Sequence, residues 1–295
     1  MPSSKNALKN VLVLHGPNLN LLGKREPEIY GADSLAAINK YIQAQTAEYS
    51  VDLTFYQTNH EGQLIDKIHA APGAFDGIVC NPAAWTHYSI ALRDAIAAVA
   101  MPAVEVHLSD ISQREAFRRH SVIRDVCIDQ ISGFGKDGYV YGVEALIGDR
   151  VAKDLTAKAK TLQANDEILK WAVELLSAAF PKYDWTGIYM VEGYELVVRN
   201  YIGAPTPHER IPIGQGICGA AVSEQDTIIV PDVNADPRYL ACSIETKSEI
   251  VVPIYCGRKI IGEIDIDSHR PDVFKPHDQR YLENVAEIIG RELKR

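Results

Sequence analysis

The residues best equipped for chemistry fall into three groups in the first half of the chain. Asn18, Arg25 and Tyr30 sit in or beside a long loop that opens with Gly16-Pro17-Asn18. Asn81 and His87 follow a short apolar run. Glu105, His107 and Ser109 end another such run, and Arg118 lies just beyond. Amides and hydroxyls can read hydroxyl groups, arginines can hold an anion, and His and Tyr can move protons, so together they suit an enzyme that handles a small polyhydroxylated anion. The charged, Gly-flanked loop from Leu21 to Gly31 has the makings of a lid that closes over substrate and expels water. Each residue alone has a plainer reading: a half-buried tyrosine, a hydrogen-bonded histidine at a strand end, a solvated arginine. Their joint placement gives them weight.

That placement depends on the elements between them. Val11–Leu14 reads as a buried strand, Ser34–Tyr49 as a helix with apolar residues Leu35, Ile38 and Ile42, and Val51–Gln57 as an alternating strand. Leu64–Ala71 is helical in pattern, Gly77–Cys80 a short strand, His87–Val99 an amphipathic helix and Ala103–His107 another strand. Val126–Ile131 and a helix from about Tyr139 follow. Regular alternation of strand and helix predicts an α/β fold, a doubly wound parallel sheet with helices on both faces. Ligands of such sheets bind at the carboxyl ends of the strands. The polar groups after Leu14, Cys80 and Val106 would all lie at that end.

From about Gly148 the texture changes. Asp149–Phe180 is rich in Ala, Lys, Leu, Glu and Asp, with no Gly or Pro, and reads as one or two helices. Beyond Pro181, strand patterns at Thr186–Val191, Tyr194–Tyr201, Thr227–Val230, Ile250–Tyr255 and Lys259–Ile266 precede a closing helix, Pro276–Leu293, an α+β order. The expected division is residues 1–148, a helical linker 149–165, and a second domain 166–295.

A chain of 295 residues, 46% hydrophobic and 23% charged, has material for two cores. Its net charge of −9 argues against nucleic acid or anionic membrane as a partner. No apolar run approaches the roughly 18 residues of a membrane span, and Val11–Leu14 is too short for a signal-peptide core, so a cytoplasmic location is expected. The five cysteines form no CxxC pair and the nine histidines no HxxxH pair, so no metal site is expected.

The motifs of the first half, in order, are Gly16-Pro17-Asn18-Leu19-Asn20, Arg25-Glu26-Pro27, Tyr30-Gly31, His60–Asp66, Asn81-Pro82-Ala83-Ala84-Trp85-Thr86-His87, Ala91–Ala95, Glu105-Val106-His107-Leu108-Ser109 and Arg118-Arg119-His120-Ser121. From about Val11 to Leu146 the chain resembles the type II 3-dehydroquinate dehydratases. The resemblance implies a flavodoxin-like fold, a homo-oligomer assembled as a dodecamer, and no cofactor. It implies anti elimination of water from 3-dehydroquinate through an enolate. Tyr30 would be the base, its phenol acidified by Arg25, and Asn18 would hold the enolate oxygen through a water. His107 would be the general acid, with Glu105 orienting or polarising nearby groups. Asn81, His87 and Arg118 would bind substrate hydroxyls, Leu108 and Ser109 the carboxylate, and Asp94 would reach a neighbouring subunit's site. Trp85 and Asp110 depart from the residues more usual there.

The second half carries Trp185–Tyr189, Arg210–Gly219, Pro231–Asn234, Tyr239–Cys242, Ser248–Ile254 and Gly262–Ser268. From about Asp166 to Lys294 it resembles a GAF domain, and among those the free methionine-(R)-sulfoxide reductases. By that resemblance Cys242 is a nucleophile, Cys218 a partner thiol, Glu249, Asp265 and Asp267 bind the polar groups of a small ligand, and Trp185 lines its pocket. The further cysteine of those reductases is missing: Ala204–Arg210 has His208 near its place. The expected role is therefore regulatory or ligand-sensing, with reduction of free methionine sulfoxide through Cys242 and Cys218 as the alternative.

Overall fold

In the computed structural model the described residues are 8–24, 31–240 and 243–293. They fall into two compact units, one ending at Asp149 and the other starting at Arg150. Each is treated by itself.

The first unit is a five-stranded parallel sheet in the order β2-β1-β3-β4-β5, from β1 Asn10–His15, β2 Asp52–Gln57, β3 Gly77–Asn81, β4 Ala103–His107 and β5 Asp129–Ser132. The central strands are buried along their length, which is why they read as continuous apolar runs. Helices α1 Leu35–Gln45, α2 Glu61–His69, α3 Ile90–Val99 and α4 Asp137–Ala159 connect or follow the strands. Ser34 and Ser89 cap α1 and α3, accepting from Ala37 N–H at 3.2 Å and Leu92 N–H at 2.9 Å. This is the flavodoxin-like arrangement expected.

Three local differences appear. Helix α3 begins at Ile90 rather than His87, because residues Ala83–His87 form a 3-10 turn ahead of the Ser89 cap. The stretch before β5 is a string of short 3-10 turns, and the strand starts only at Asp129. Helix α4 runs 23 residues, straight through the composition change near Gly148.

In the second unit α5 Asn165–Ala179 precedes a six-stranded sheet in the order β8-β7-β6-β11-β10-β9, closed by α7 Pro276–Glu292. The strands are β6 Trp185–Glu192, β7 Glu195–Ile202, β8 Arg210–Pro212, β9 Ile228–Val230, β10 Ser248–Cys256 and β11 Lys259–Ser268, all paired antiparallel. A short helix, α6 Gly216–Glu224, almost wholly buried, packs with β6, β7 and β10 residues in one apolar cluster. Neither α6 nor β8 stands out in the sequence pattern. The core below α5 and α7 holds a buried ion pair, Lys182 Nζ to Asp278 Oδ1 at 2.8 Å. Among the described residues no helix is long and apolar enough to cross a membrane.

Candidate active site

The carboxyl ends of β1, β3 and β4 bring the first-half motifs together. One pocket is lined by Pro17, Asn18, Leu19 and Leu22 from the first loop, Asn81, Ala83, Ala84 and His87 from the second, and His107, Leu108, Ser109, Arg114 and Arg118 from the third. Two of these loops touch through backbone. Gly16 N–H donates to the Asn81 carbonyl at 2.8 Å, and a Cβ on Gly16 would lie 2.5 Å from the Pro82 carbonyl oxygen, so only glycine permits this approach. Asn18 (φ 65°) and Ala83 (φ 50°) both hold left-handed backbone, strain of the kind that clusters at functional sites. The Asn18 conformation is tied down by its N–H donating to Asn59 Oδ1 at 2.8 Å.

Glu105 is the buried anchor, with no exposed surface. Its Oε1 accepts from His107 Nε2 at 2.7 Å and from the Thr86 hydroxyl. Its Oε2 accepts from Gln130 Nε2 at 2.7 Å, and the Ser121 hydroxyl lies 2.9 Å from both oxygens. Burial works against the charge, but hydrogen bonds from His107, Thr86 and Ser121 and the attraction of His107 outweigh it, so the carboxyl is held below its ordinary range. An ionised carboxylate only accepts, so His107 donates from Nε2 and its other ring nitrogen is left for chemistry. Arg114 Nη2 donates to the Ser109 hydroxyl, and Ser132 Oγ donates to the Ser109 carbonyl at 3.1 Å. His87 uses Nδ1 on the His120 carbonyl at 2.9 Å. Its pKa is lowered first by desolvation and further by nearby His107, Arg114 and Arg118, against that hydrogen bond.

Asn81 rests on a second buried network. His15, fully buried, meets the Tyr139 hydroxyl through Nδ1 and Asn39 Oδ1 through Nε2, both at 2.9 Å, and Tyr139 is also hydrogen-bonded by the Asn81 side chain. Desolvation pulls His15 down to about 4 despite the Asn39 bond, so the ring is neutral at pH 7.

Of the expected residues, Asn18, Asn81, His87, His107, Leu108, Ser109 and Arg118 line the pocket, with Glu105 directly behind His107. Arg25 and Tyr30 lie outside the described residues. Asp94 is exposed on α3 and is not among the lining residues. Arg114 lines the pocket and was missed. It sits in the polar segment Ser112-Gln113-Arg114-Glu115, where nothing local distinguishes it from a solvated charge. Trp85 is buried in the apolar core, so that departure leaves the pocket untouched.

In the second unit, Glu263, Asp265 and Asp267 alternate along β11 onto one face, and Glu249 lies opposite Asp267 on β10. Cys218, carried over that face by α6, has its Sγ 3.4 Å from Asp265 Oδ2 and 4.0 Å from Glu249 Oε1. The close approach of α6 needs Gly219, where a Cβ would lie 2.7 Å from the Pro212 carbonyl oxygen. Trp185, paired with Asp267 across β6, is buried, donates from Nε1 to the Ala204 carbonyl at 3.0 Å and stacks on Tyr201. Desolvation drives Glu263 and Asp265 up to about 8, and Glu249 and Asp267 well above their usual values, with like charges adding to the rise for Glu249, Asp265 and Asp267. Cys242 lies outside the described residues.

Residues 9–147 match the family described as dehydroquinase class II, and residues 165–293 match the GAF domain. A 3-dehydroquinate dehydratase of Carboxydothermus hydrogenoformans is 58% identical over 137 residues, 46% of this chain and 89% of that protein. One from Halothermothrix orenii is 53% identical over 140 residues, 48% of this chain and 95% of that protein. Among solved structures, a free methionine-R-sulfoxide reductase of Neisseria meningitidis in complex with its substrate is 31% identical, with a TM-score of 0.49, covering 51% of this chain and 90% of that one. Through residues 9–147 the chain belongs to the class II dehydroquinase family, and it carries a GAF domain behind that part.

Proposed function

We propose that the first half of the chain is a 3-dehydroquinate dehydratase, eliminating water from 3-dehydroquinate to give 3-dehydroshikimate in the shikimate route to chorismate and the aromatic amino acids. The observation that carries this reading is the strand-end pocket in which His107, anchored on the buried Glu105 carboxylate, is grouped with Asn81, His87, Ser109 and Arg118. The relatives' names and their identity over this half agree with it.

The elimination divides among these side chains. Tyr30 removes the proton beside the ketone. A phenol of ordinary pKa near 10 is a poor base precursor at neutral pH, so Arg25 lowers its cost of ionisation. Negative charge develops on the carbonyl oxygen, where Asn18 supplies a donor through water. His107 protonates the departing hydroxyl, and Glu105 keeps the ring oriented. Asn81, His87 and Arg118 hold substrate hydroxyls, and Leu108 N–H with the Ser109 hydroxyl holds the carboxylate. Arg114, through Ser109, belongs with this group.

The working divisions are 1–148 for the lyase, 149–165 as connecting helix and 166–295 for the GAF domain, in a cytoplasmic homo-oligomer. Exposed Tyr88, Ile90 and Phe117 support association of copies, and a dodecamer in which Asp94 serves a neighbour's pocket fits its exposed place on α3. The GAF domain senses a small ligand and regulates. Thiol-dependent reduction of methionine sulfoxide by Cys242 and Cys218 is the second reading, favoured by the Cys218–Asp265 contact.

Absorbance of the conjugated enone product on adding 3-dehydroquinate tests the lyase. A rise with wild type that disappears in Tyr30→Phe and His107→Asn supports the assignment. No rise with wild type sinks it.

A further inference from the structure

His15 ends β1 and Asn81 ends β3, and the two are paired in register across the parallel sheet, so their side chains leave the same face. Tyr139, in the first turn of α4, reaches His15 there, with the two rings 5.2 Å apart and edge-on. His15 and Tyr139 have no exposed surface, and Asn81 is exposed by only 3%. A phenylalanine would fill the space of His15 without burying a polar ring. A buried imidazole is tolerated only when its nitrogens have partners. Both have one here: Nε2 lies 2.9 Å from Asn39 Oδ1 on α1, and Nδ1 lies 2.9 Å from the Tyr139 hydroxyl. The network runs on from Tyr139 to the Asn81 side chain and ends in the lyase pocket, which Asn81 lines.

Every proton in this network has one place. Burial brings the His15 ring down to about 4 against the Asn39 bond, so at pH 7 the ring is neutral, with one nitrogen donating and the other accepting. Asn39 Oδ1 can only accept, so Nε2 carries the proton and Nδ1 is the acceptor. The Tyr139 hydroxyl therefore donates to Nδ1, and its oxygen accepts from Asn81 Nδ2. At the other edge of the amide, Asn81 Oδ1 accepts from Ala83 N–H at 3.1 Å. A flipped amide would set Oδ1 against an oxygen with no proton to give, and Nδ2 against a backbone N–H. Both bonds would be lost together. The main chain is held as well, since the Asn81 carbonyl accepts from Gly16 N–H at 2.8 Å.

We infer that His15 and Tyr139 are positioning residues of the lyase pocket, holding the Asn81 amide in the one orientation in which it meets a substrate hydroxyl. This role rests on the lyase reading of the first unit, in which Asn81 binds such a hydroxyl. Neither His15 nor Tyr139 lines the pocket, so each acts through Asn81. With one Nδ2 hydrogen given to Tyr139 and one Oδ1 lone pair given to Ala83, Asn81 offers substrate its second hydrogen and its second lone pair at fixed places. A hydroxyl can accept from the first and donate to the second. The bonds from Asn81 to Tyr139, His15 and Asn39 all run in one sense, so each polarises the next.

The test is a double-mutant cycle on the full-length protein, with enone formation from 3-dehydroquinate as the readout and urea unfolding measured alongside. Tyr139→Phe keeps the ring and removes the oxygen on which His15 and Asn81 meet. It is expected to lower kcat/KM at least about fivefold, and to have no further effect in protein that already carries Asn81→Ala. His15→Asn, whose Oδ1 takes the place of Nδ1, is expected to recover most of the rate lost in His15→Leu. In wild type at pH 7, nitrogen NMR of the imidazoles should show His15 neutral and protonated at Nε2, its signal identified by its loss in His15→Asn. Equal losses with and without Asn81 would mean that Tyr139 only supports the fold, and would overturn the role. Unchanged kcat/KM in folded Tyr139→Phe, or a His15 ring protonated at Nδ1, would do the same. If circular dichroism shows that Tyr139→Phe does not fold, the two His15 variants and the wild-type spectrum decide. Wild type that makes no enone overturns the lyase reading and this role with it, whereas an active wild type with additive losses overturns this role alone.

Discussion

Replacing Glu105 by glutamine tests how the lyase pocket keeps its acid. The side chain has no exposed surface and reaches the pocket only through His107, so its effect should fall on the chemical step rather than on substrate affinity. A hydrogen bond to a charged partner is worth about 1.5–3 kcal/mol, and a neutral one about 0.5–1.5 kcal/mol. The glutamine keeps the geometry but makes this exchange at the 2.7 Å His107 contact, a loss of about 1–2 kcal/mol in holding the ring in place, or roughly 5- to 30-fold in rate. There is a stability cost as well. The new NH2 group faces donors from Ser121 or Gln130, and one of them loses its acceptor, at about 1–3 kcal/mol. The carboxyl's lowered pKa fixes the pH trend: its contribution to stability is present above the ordinary value of 4.5 and is lost as pH falls below it. Steady-state kinetics and urea unfolding at pH 7 and pH 4 read both effects. The expected pattern is a reduced kcat, a KM within about threefold, and a stability gap to wild type that narrows at pH 4. A folded variant with unchanged kcat, or one whose whole loss lies in KM, would refute the reasoning.

Three further perturbations separate the parts. Gly16→Ala forces a Cβ to within 2.5 Å of the Pro82 carbonyl, so the first and second loops should part; enone formation should drop at least tenfold while far-ultraviolet dichroism stays close to wild type. Lys182→Met removes the lysine from buried Asp278, which keeps the Tyr281 hydroxyl, the Lys275 N–H and His277 beside it, and should cost up to about 3–5 kcal/mol in urea unfolding of the second unit, since breaking a buried pair weakens the support of the remaining charge. Glu263→Gln should stabilise the second unit. With a carboxyl raised from 4.5 to about 8, stability is present at low pH and lost as pH rises through that window, so the gain should be about 3 kcal/mol at pH 7 and under about 1 kcal/mol at pH 5; an equal gain at both pH values would contradict the assignment.

What could be read from the sequence follows from which signals are local. The parallel sheet announces itself because its central strands are buried on both faces and so read as apolar runs, and because the loops after β1, β3 and β4 concentrate Asn, His, Ser and Arg where such sheets hold ligands. Most pocket residues could be named from those loops. Arg114 could not, since only the fold of the 3-10 turns from Ile111 to Arg118 brings it back onto Ser109. Helix α6 was missed because its sequence, GICGAAVSE, is small and apolar on nearly all sides and carries no amphipathic period.

That missed helix decides how the second unit is understood. Glu263-Ile264-Asp265-Ile266-Asp267 alternates like a strand with one face in solvent, and on that pattern Glu263 is unremarkable. The alternation is correct, but the acidic face is covered. Helix α6 lays Cys218 over it and the apolar cluster closes around it, so groups that look solvated in sequence become buried carboxyls with oxygens left unpartnered. Local sequence carries the period of a strand and not the element that will cover it. A buried row of carboxyls keeps its place in a stable fold only if its charge is compensated or suppressed. In this unit burial and mutual repulsion push Glu249, Asp265 and Asp267 above their ordinary range, and burial does the same for Glu263, so the row is carried by the protons it keeps and not by a counter-charge on a neighbouring side chain.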